Sequence, residues 1–219
     1  TPLLFYSRRI GLNGTGVVPI LGGGRLTGRV GRTTVGLINM ETRQDRFAST
    51  PGTFSVTPAG NFAVVRMKRD ILRRSSIGLL ATNRSVAQIG SGSNQAFGVD
   101  GAFAFFSNLA VNAYVAKSES SGVTSDDLSY RTQLEYAGDR YGVQLERLAV
   151  GDNFNPEIGY LRRDDIRRNY SYFRFSPRSR RVKAIRKYSS IGQLTYTQNG
   201  HGRLDTRIVD GEFALEFQN

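Results

Sequence analysis

The sequence predicts an all-β chain: an antiparallel meander forming a transmembrane β-barrel or part of one, with about ten to eleven strands in the segment. The prediction rests first on long two-residue alternation. Leu128, Tyr130, Thr132, Leu134 and Tyr136 fall on one side of a strand, and Ser129, Arg131, Gln133 and Glu135 on the other. Tyr141, Val143 and Leu145 then repeat the apolar side, and Gln144 and Glu146 the polar one. It rests second on the connections, where tight turns near Gly31, Ser75, Asn108, Gly138 and Arg178 alternate with long polar stretches centred near Thr50, Gly90, Gly122 and Tyr160. In a meander, alternate connections lie at the same end, so the long loops share one end and the short turns the other. Outer-membrane barrels are built this way, whereas sandwiches mix the two. Third, no helical period is present to cover a sheet, and no apolar run approaches the roughly 20 residues of a membrane helix.

Taken in order, residues 1–24 are glycine-punctuated, with Pro2 and Pro19 disfavouring a central strand, and are expected to form an irregular or plug-like segment. Gly22-Gly23-Gly24 is expected to turn, since it lacks the Lys-Ser/Thr of a phosphate-binding loop. Strands are expected at Arg25–Val30 and Thr33–Thr42 around Gly31-Arg32, then, after the turn-rich stretch 43–60, at Phe62–Leu72 and Ile77–Arg84. The loop 85–95 leads to Phe97–Phe106 and Leu109–Lys117, a hairpin with Ser107-Asn108 at its tip. The loop 118–127 leads into the hairpin Leu128–Asp152. Glycine at the first central position of Gly138-Asp139 suits a type II′ turn, which would set Tyr136 opposite Tyr141, Leu134 opposite Val143, Thr132 opposite Leu145 and Arg131 opposite Glu146. An irregular charged stretch, 152–168, precedes strand-like chain at 169–175, 182–197 and 204–217. Residues 1–219 read as a single β-barrel domain, expected to be incomplete at both ends because no signal-like segment opens it and the strand-like GEFALEFQN closes it.

A soluble antiparallel sheet with one wet face would alternate equally well. The apolar faces here run over about ten residues, longer than the usual strand of five or six, and carry tyrosines near their ends, where a membrane girdle would lie. Arg69 opposes the membrane reading, because it follows Ala63, Val65 and Met67 on the outward face several residues from its turn, and arginine at the lipid midplane costs roughly 2–4 kcal/mol. The formal charge of +12, carried mostly by arginine, favours anionic partners, and the absence of cysteine excludes disulfides and thiolate zinc sites.

The runs Phe5-Tyr-Ser-Arg-Arg-Ile-Gly11, Pro19-Ile20, Gly24-Arg-Leu-Thr-Gly28 and Asp70-Ile-Leu-Arg-Arg-Ser-Ser-Ile-Gly78 with Thr82-Asn-Arg84 carry a family resemblance, and Gly151-Asp-Asn-Phe-Asn-Pro-Glu-Ile-Gly-Tyr-Leu-Arg-Arg-Asp164 most of all. They resemble a bacterial domain-of-unknown-function family whose members carry this region as a C-terminal β-barrel behind a carbohydrate-binding-module family-nine-like domain. The resemblance spans nearly the whole chain and implies the outer membrane of a Gram-negative bacterium. It supplies no catalytic residues.

The candidate functional residues fall into two groups. Arg66, Lys68, Asp70, Arg131, Gln133, Glu135, Gln144 and Glu146 would face the lumen of a barrel, either as mutually bridged filling or as a basic constriction for anionic solutes. In the loop motif, Asp152, Asn153, Asn155 and Glu157 offer oxygen ligands without the spacing of a calcium-binding EF-hand loop, and Asn155-Pro156 reads as a turn within a local network. Arg162, Arg163 and Asp164 close that motif, with its arginines facing lipid phosphate or solvent. No catalytic residue, metal or cofactor is expected. His201 lies between glycines in a turn, and Asn169–Phe175, an arginine–aromatic mixture, suits a girdle better than a nucleic-acid platform, so nucleic acid is not an expected partner. The expected role is a non-enzymatic outer-membrane barrel, an anchor or passage for an attached binding domain in glycan or anionic-solute handling, in contact with outer-membrane lipid or lipopolysaccharide. A soluble all-β module binding polyanions is the alternative, and a glycoside-acting enzyme using the 152–164 region the second.

Overall fold

Alternating β-branched and aromatic residues build long strands here, and the computed structural model describes residues 1–218 apart from 14–15, 51–52, 89–91, 124, 179–181 and 183. After a 3₁₀ turn at Ser7–Arg9 come β1 (Leu12–Asn13), β2 (Gly16–Val17), β3 (Ile20–Val30), β4 (Thr33–Thr42), β5 (Asp45–Thr50), β6 (Thr53–Thr57), β7 (Gly60–Leu72) and β8 (Ser75–Arg84). The chain continues through β9 (Asn94–Phe105), β10 (Leu109–Ser120), β11 (Leu128–Ala137), β12 (Tyr141–Val150), β13 (Ile166–Phe175), β14 (Ile185–Gln198) and β15 (Leu204–Phe217). Eleven strands form one antiparallel sheet in the order β15-β14-β13-β12-β11-β10-β9-β8-β7-β4-β3, while β1–β2 and β5–β6 are separate two-stranded pairs. The meander is interrupted only where β5–β6 is inserted between β4 and β7. The sheet is open, with β3 and β15 as edges exposed along their whole length.

Several expectations need correction. Ile20–Gly24 is not irregular but the first half of β3, pairing with Thr42 to Asn39 through a bulge at Ile20/Gly22. Gly23 makes this possible, since a Cβ there would collide with Met40 Sδ and the Asn39 carbonyl. The stretch 43–60 is not only loop but contains β5–β6. The connection after β13 spans 176–184, longer than a tight turn, and Arg167 and Arg168 belong to β13.

The hairpin β11–β12 keeps its faces but not its predicted register. Tyr136 pairs with Val143, Leu134 with Leu145, Thr132 with Arg147 and Arg131 with Leu148. Gly138 does not take the positive φ that a type II′ turn requires, whereas Gly31 does, at +59° between the paired Val30 and Thr33. A wider loop is held open from β13 and beyond: Arg174 donates to the carbonyls of Gly138 at 2.6 Å and Asp139 at 3.2 Å, and Ser176 N–H donates to the Arg140 carbonyl at 2.7 Å. The slip is by two residues, so each side chain stays on its expected face.

The sheet curls. Ile158, fully buried, shares a cluster with Phe62 and Val64 of β7, against which Ile38 and Met40 of β4 also pack, while Phe154 packs with Leu148 and Val150 of β12. In a flat sheet β7 and β12 would stand five strand spacings apart, about 24 Å. Four residues of chain between Phe154 and Ile158 reach at most about 14 Å. The strands therefore wrap around the 151–165 loop, which defines an inner face. The N-terminal segment lies on that face too, with Leu4 against the first cluster and Phe5 and Ile10 against the second.

The paired row Arg69–Ile77–Gly101–Ala113–Thr132–Arg147–Asn169–Tyr196–Arg207 begins near the short-turn end of β7 and finishes near the long-loop end of β15. Such a steady stagger in one sense is what tilted barrel strands require. It also resolves the position of Arg69: β3–β4 ends beside it, Arg69 pairing with Thr33 and Asp70 N–H donating to the Arg32 carbonyl at 2.9 Å. Arg69 sits at the rim of that hairpin.

Candidate functional site

Alternation sorts the two faces of the sheet by polarity. The outer face carries Val35, Met67, Leu79, Val99, Val115 and Tyr130 as one laterally paired row, and Phe103, Val111, Leu134, Leu145, Ser171, Leu194 and Val209 as another. Leu79 is 54 % exposed, Val115 49 % and Leu145 49 %, and among the described residues each strand of this sheet makes its substantial contacts with its sheet neighbours alone, so no second layer covers these rows. Towards the short turns the same face shows Phe105, Tyr136, Tyr141, Phe173 and Phe213, all exposed.

The inner face holds all eight residues expected to face a lumen. Arg66 makes a two-point contact with Asp100, its Nη2 donating to Oδ2 at 2.9 Å. Asp70 accepts from Arg29 Nη2 at 3.0 Å, and Lys68, between them on β7, is exposed. Arg131 donates from Nε to Glu146 Oε2 at 2.8 Å and from Nη2 to Gln133. Glu146 also accepts from Arg168 Nη2 at 2.6 Å, so a buried carboxylate is clamped by two guanidinium groups. Arg131 and Glu146 are diagonal rather than directly opposite, a separation long side chains span. Glu135 pairs with Gln144, and that row continues through Tyr172 and Gln193 to Asp210.

The Asp152–Asp164 motif is a folded stopper at the long-loop end. Asn94 Nδ2 donates to the Asn155 carbonyl at 2.9 Å and its Oδ1 accepts from Glu157 N–H at 3.1 Å; Ser118 Oγ accepts from Asn155 N–H at 2.8 Å. Glu157 Oε2 accepts from Gln88 N–H at 2.7 Å and lies 3.5 Å from Arg84, both side chains being nearly inaccessible. Asn153 donates to the Ser125 carbonyl at 2.9 Å. The N-terminal segment ties in through Leu3–Tyr160, the Tyr6 N–H to the Ile158 carbonyl, and Arg9 Nε to the Gly159 carbonyl. Asp152, Arg162, Arg163 and Asp164 remain exposed. Arg163 donates to Asp205 at 2.9 Å, which raises its pKa above the ordinary arginine value.

The motif's oxygens therefore diverge to separate partners, and no cluster of three or more His, Cys, Asp or Glu able to hold a metal occurs among the described residues. Between the N-terminal segment and the inner face lies a cavity of about 610 Å³, lined by Leu4, Phe5, Val64, Gly98 and Tyr114, with Arg25 and the Arg66–Asp100 pair on its wall. Sequence reasoning missed Arg84, Asn94 and Ser118. Their only signal is a polar side chain of inward parity at the strand end adjoining a long loop. At the short-turn end Arg178 pairs with Asp139.

Compared with known proteins, the chain matches no family model, no curated protein and no solved structure.

Proposed function

We propose that this chain forms the wall of a non-enzymatic β-barrel in a bacterial outer membrane, serving as anchor or passage for an attached binding domain. The observation that carries the proposal is the inversion of polarity: long strands keep arginine, glutamate and glutamine on the inner face and leave valine, leucine and phenylalanine uncovered on the outer one. A face of that kind is stable against hydrocarbon and costly against water. At a barrel tilt of about 40°, ten-residue strands span about 26 Å, the height of an outer-membrane apolar band. The open edges β3 and β15 would be paired in a barrel. The resemblance of the 151–164 motif to an outer-membrane barrel family points the same way. The stopper and N-terminal segment fill the inner face at the long-loop end, which favours the anchor role over a wide passage.

The test is phase behaviour. The refolded chain is expected to require detergent or bilayer and to migrate differently on gels before and after heating. A monomer fully soluble without detergent would overturn the proposal.

A further inference from the structure

Three neighbouring short turns are stitched together at the rim. Asp70 N–H donates to the Arg32 carbonyl, joining the β3–β4 turn to β7, and Arg74 Nη1 donates to the Phe106 carbonyl at 3.3 Å, joining the β7–β8 turn to β9–β10. Across this rim Arg32, Arg69, Arg73 and Arg74 are exposed and make no ion pair with a carboxylate among the described residues. The nearest acid, Asp70, is engaged by Arg29 on the other face. Between these arginines project apolar tips, Val30 at 80 % exposure, Leu72 at 58 % and Phe106 at 90 %. Phe106 holds a positive φ of 53°, a conformation non-glycine residues seldom adopt.

We infer that this rim is a docking surface for anionic phospholipid, with lipid phosphates bridged by Arg32, Arg69, Arg73 and Arg74 while Val30, Leu72 and Phe106 enter the acyl boundary. Guanidinium groups match phosphate oxygens with paired donors. Apolar tips alone would serve any bilayer, and arginines alone any polyanion. Their alternation along one rim, level with the end of the apolar outer face, fits a headgroup that carries charge and chain together. The inference rests on the membrane reading and adds to it a leaflet and a lipid class.

The full chain is refolded into vesicles of phosphatidylcholine alone and of phosphatidylcholine mixed with phosphatidylglycerol, and the fraction floating with lipid is measured. The partition coefficient is expected to be about tenfold higher on the anionic vesicles at low salt, less than the ideal sum for four cations because these side chains are exposed and screened. The triple variant R32Q/R69Q/R73Q is expected to lose most of that gain. The charge-matched set R167Q/R203Q/R207Q, at the long-loop end, is expected to lose much less. Equal partition on both vesicles, or equal losses in both triple variants, overturns the inference while leaving the membrane reading intact. Flotation with neither vesicle overturns the membrane reading itself. A duplex DNA that competes the chain off anionic vesicles at equal phosphate concentration also overturns the inference, because the surface would then be a general polyanion site.

Discussion

Glu157 and Phe154 show how a single side chain secures the interior. Glu157 stands 3.5 Å from Arg84 with side chains only 2 % and 10 % exposed, so removing the carboxylate leaves a buried guanidinium without its counter-charge. Glu157→Ala is expected to destabilise the folded chain by about 3–5 kcal/mol, and Glu157→Gln by less, because an amide still accepts from the Gln88 N–H. Denaturant unfolding of the refolded protein in detergent measures both. Phe154→Ala, at a residue 1 % exposed, is expected to cost about 3–5 kcal/mol by the same assay. Glu146 offers a sharper comparison, since it serves Arg131 and Arg168 together. Glu146→Gln is expected to cost more than Arg131→Gln, and the double substitution less than the sum of the two. The Gly-Asp-x-Phe-Asn-Pro-Glu stretch was conspicuous in the sequence through its turn formers and closely spaced oxygens. Its partners were not, because Ser118, Asn94 and Gln88 lie between 37 and 69 positions away and nothing local marks them.

At the scale of elements, the β11–β12 hairpin separates what alternation determines from what it leaves open. Face assignment depends on parity alone, and Arg131, Gln133, Glu135, Gln144 and Glu146 share one face of this hairpin. Register depends on the turn, which is set by Arg174 and Ser176 of chain still to come. No property of Gly138-Asp139 reports those contacts. Likewise β5–β6 lies inside a stretch that its turn formers mark as loop, although Phe47-Ala-Ser-Thr50 and Thr53-Phe-Ser-Val-Thr57 carry the β-branched and aromatic residues of strands. Register is directly testable in a chain without cysteine. A Leu134→Cys/Leu145→Cys pair is expected to form a disulfide under mild oxidation, since directly opposed residues fall within bonding range. Leu134→Cys/Val143→Cys is expected to remain reduced. The reverse pattern would restore the two-residue turn.

At the scale of the molecule, the loop-length asymmetry, the uniform stagger of the strands and the inverted polarity of the two faces agree with one another. The asymmetry was legible in the order of turn-forming residues, with its exceptions at 176–184 and 199–203. The stagger was not, since it is a property of pairing between strands. Aromatic residues gather on the outer face at the short-turn end, where Arg140 lies over the rings of Tyr141 and Phe175 at 5.4 and 5.2 Å. A cation held on exposed rings is at home where hydrocarbon gives way to headgroups. The central claim is that lipid meets the outer face and not the inner one. Single cysteines at Leu134 and Leu145 on the outside, and at Gln133 and Gln144 on the inside, can carry a fluorophore in bilayers containing lipids spin-labelled along the acyl chain. Strong quenching at Leu134 and Leu145 with little at Gln133 and Gln144 is the predicted result. Equal quenching at all four positions, or stronger quenching on the inner face, would contradict it.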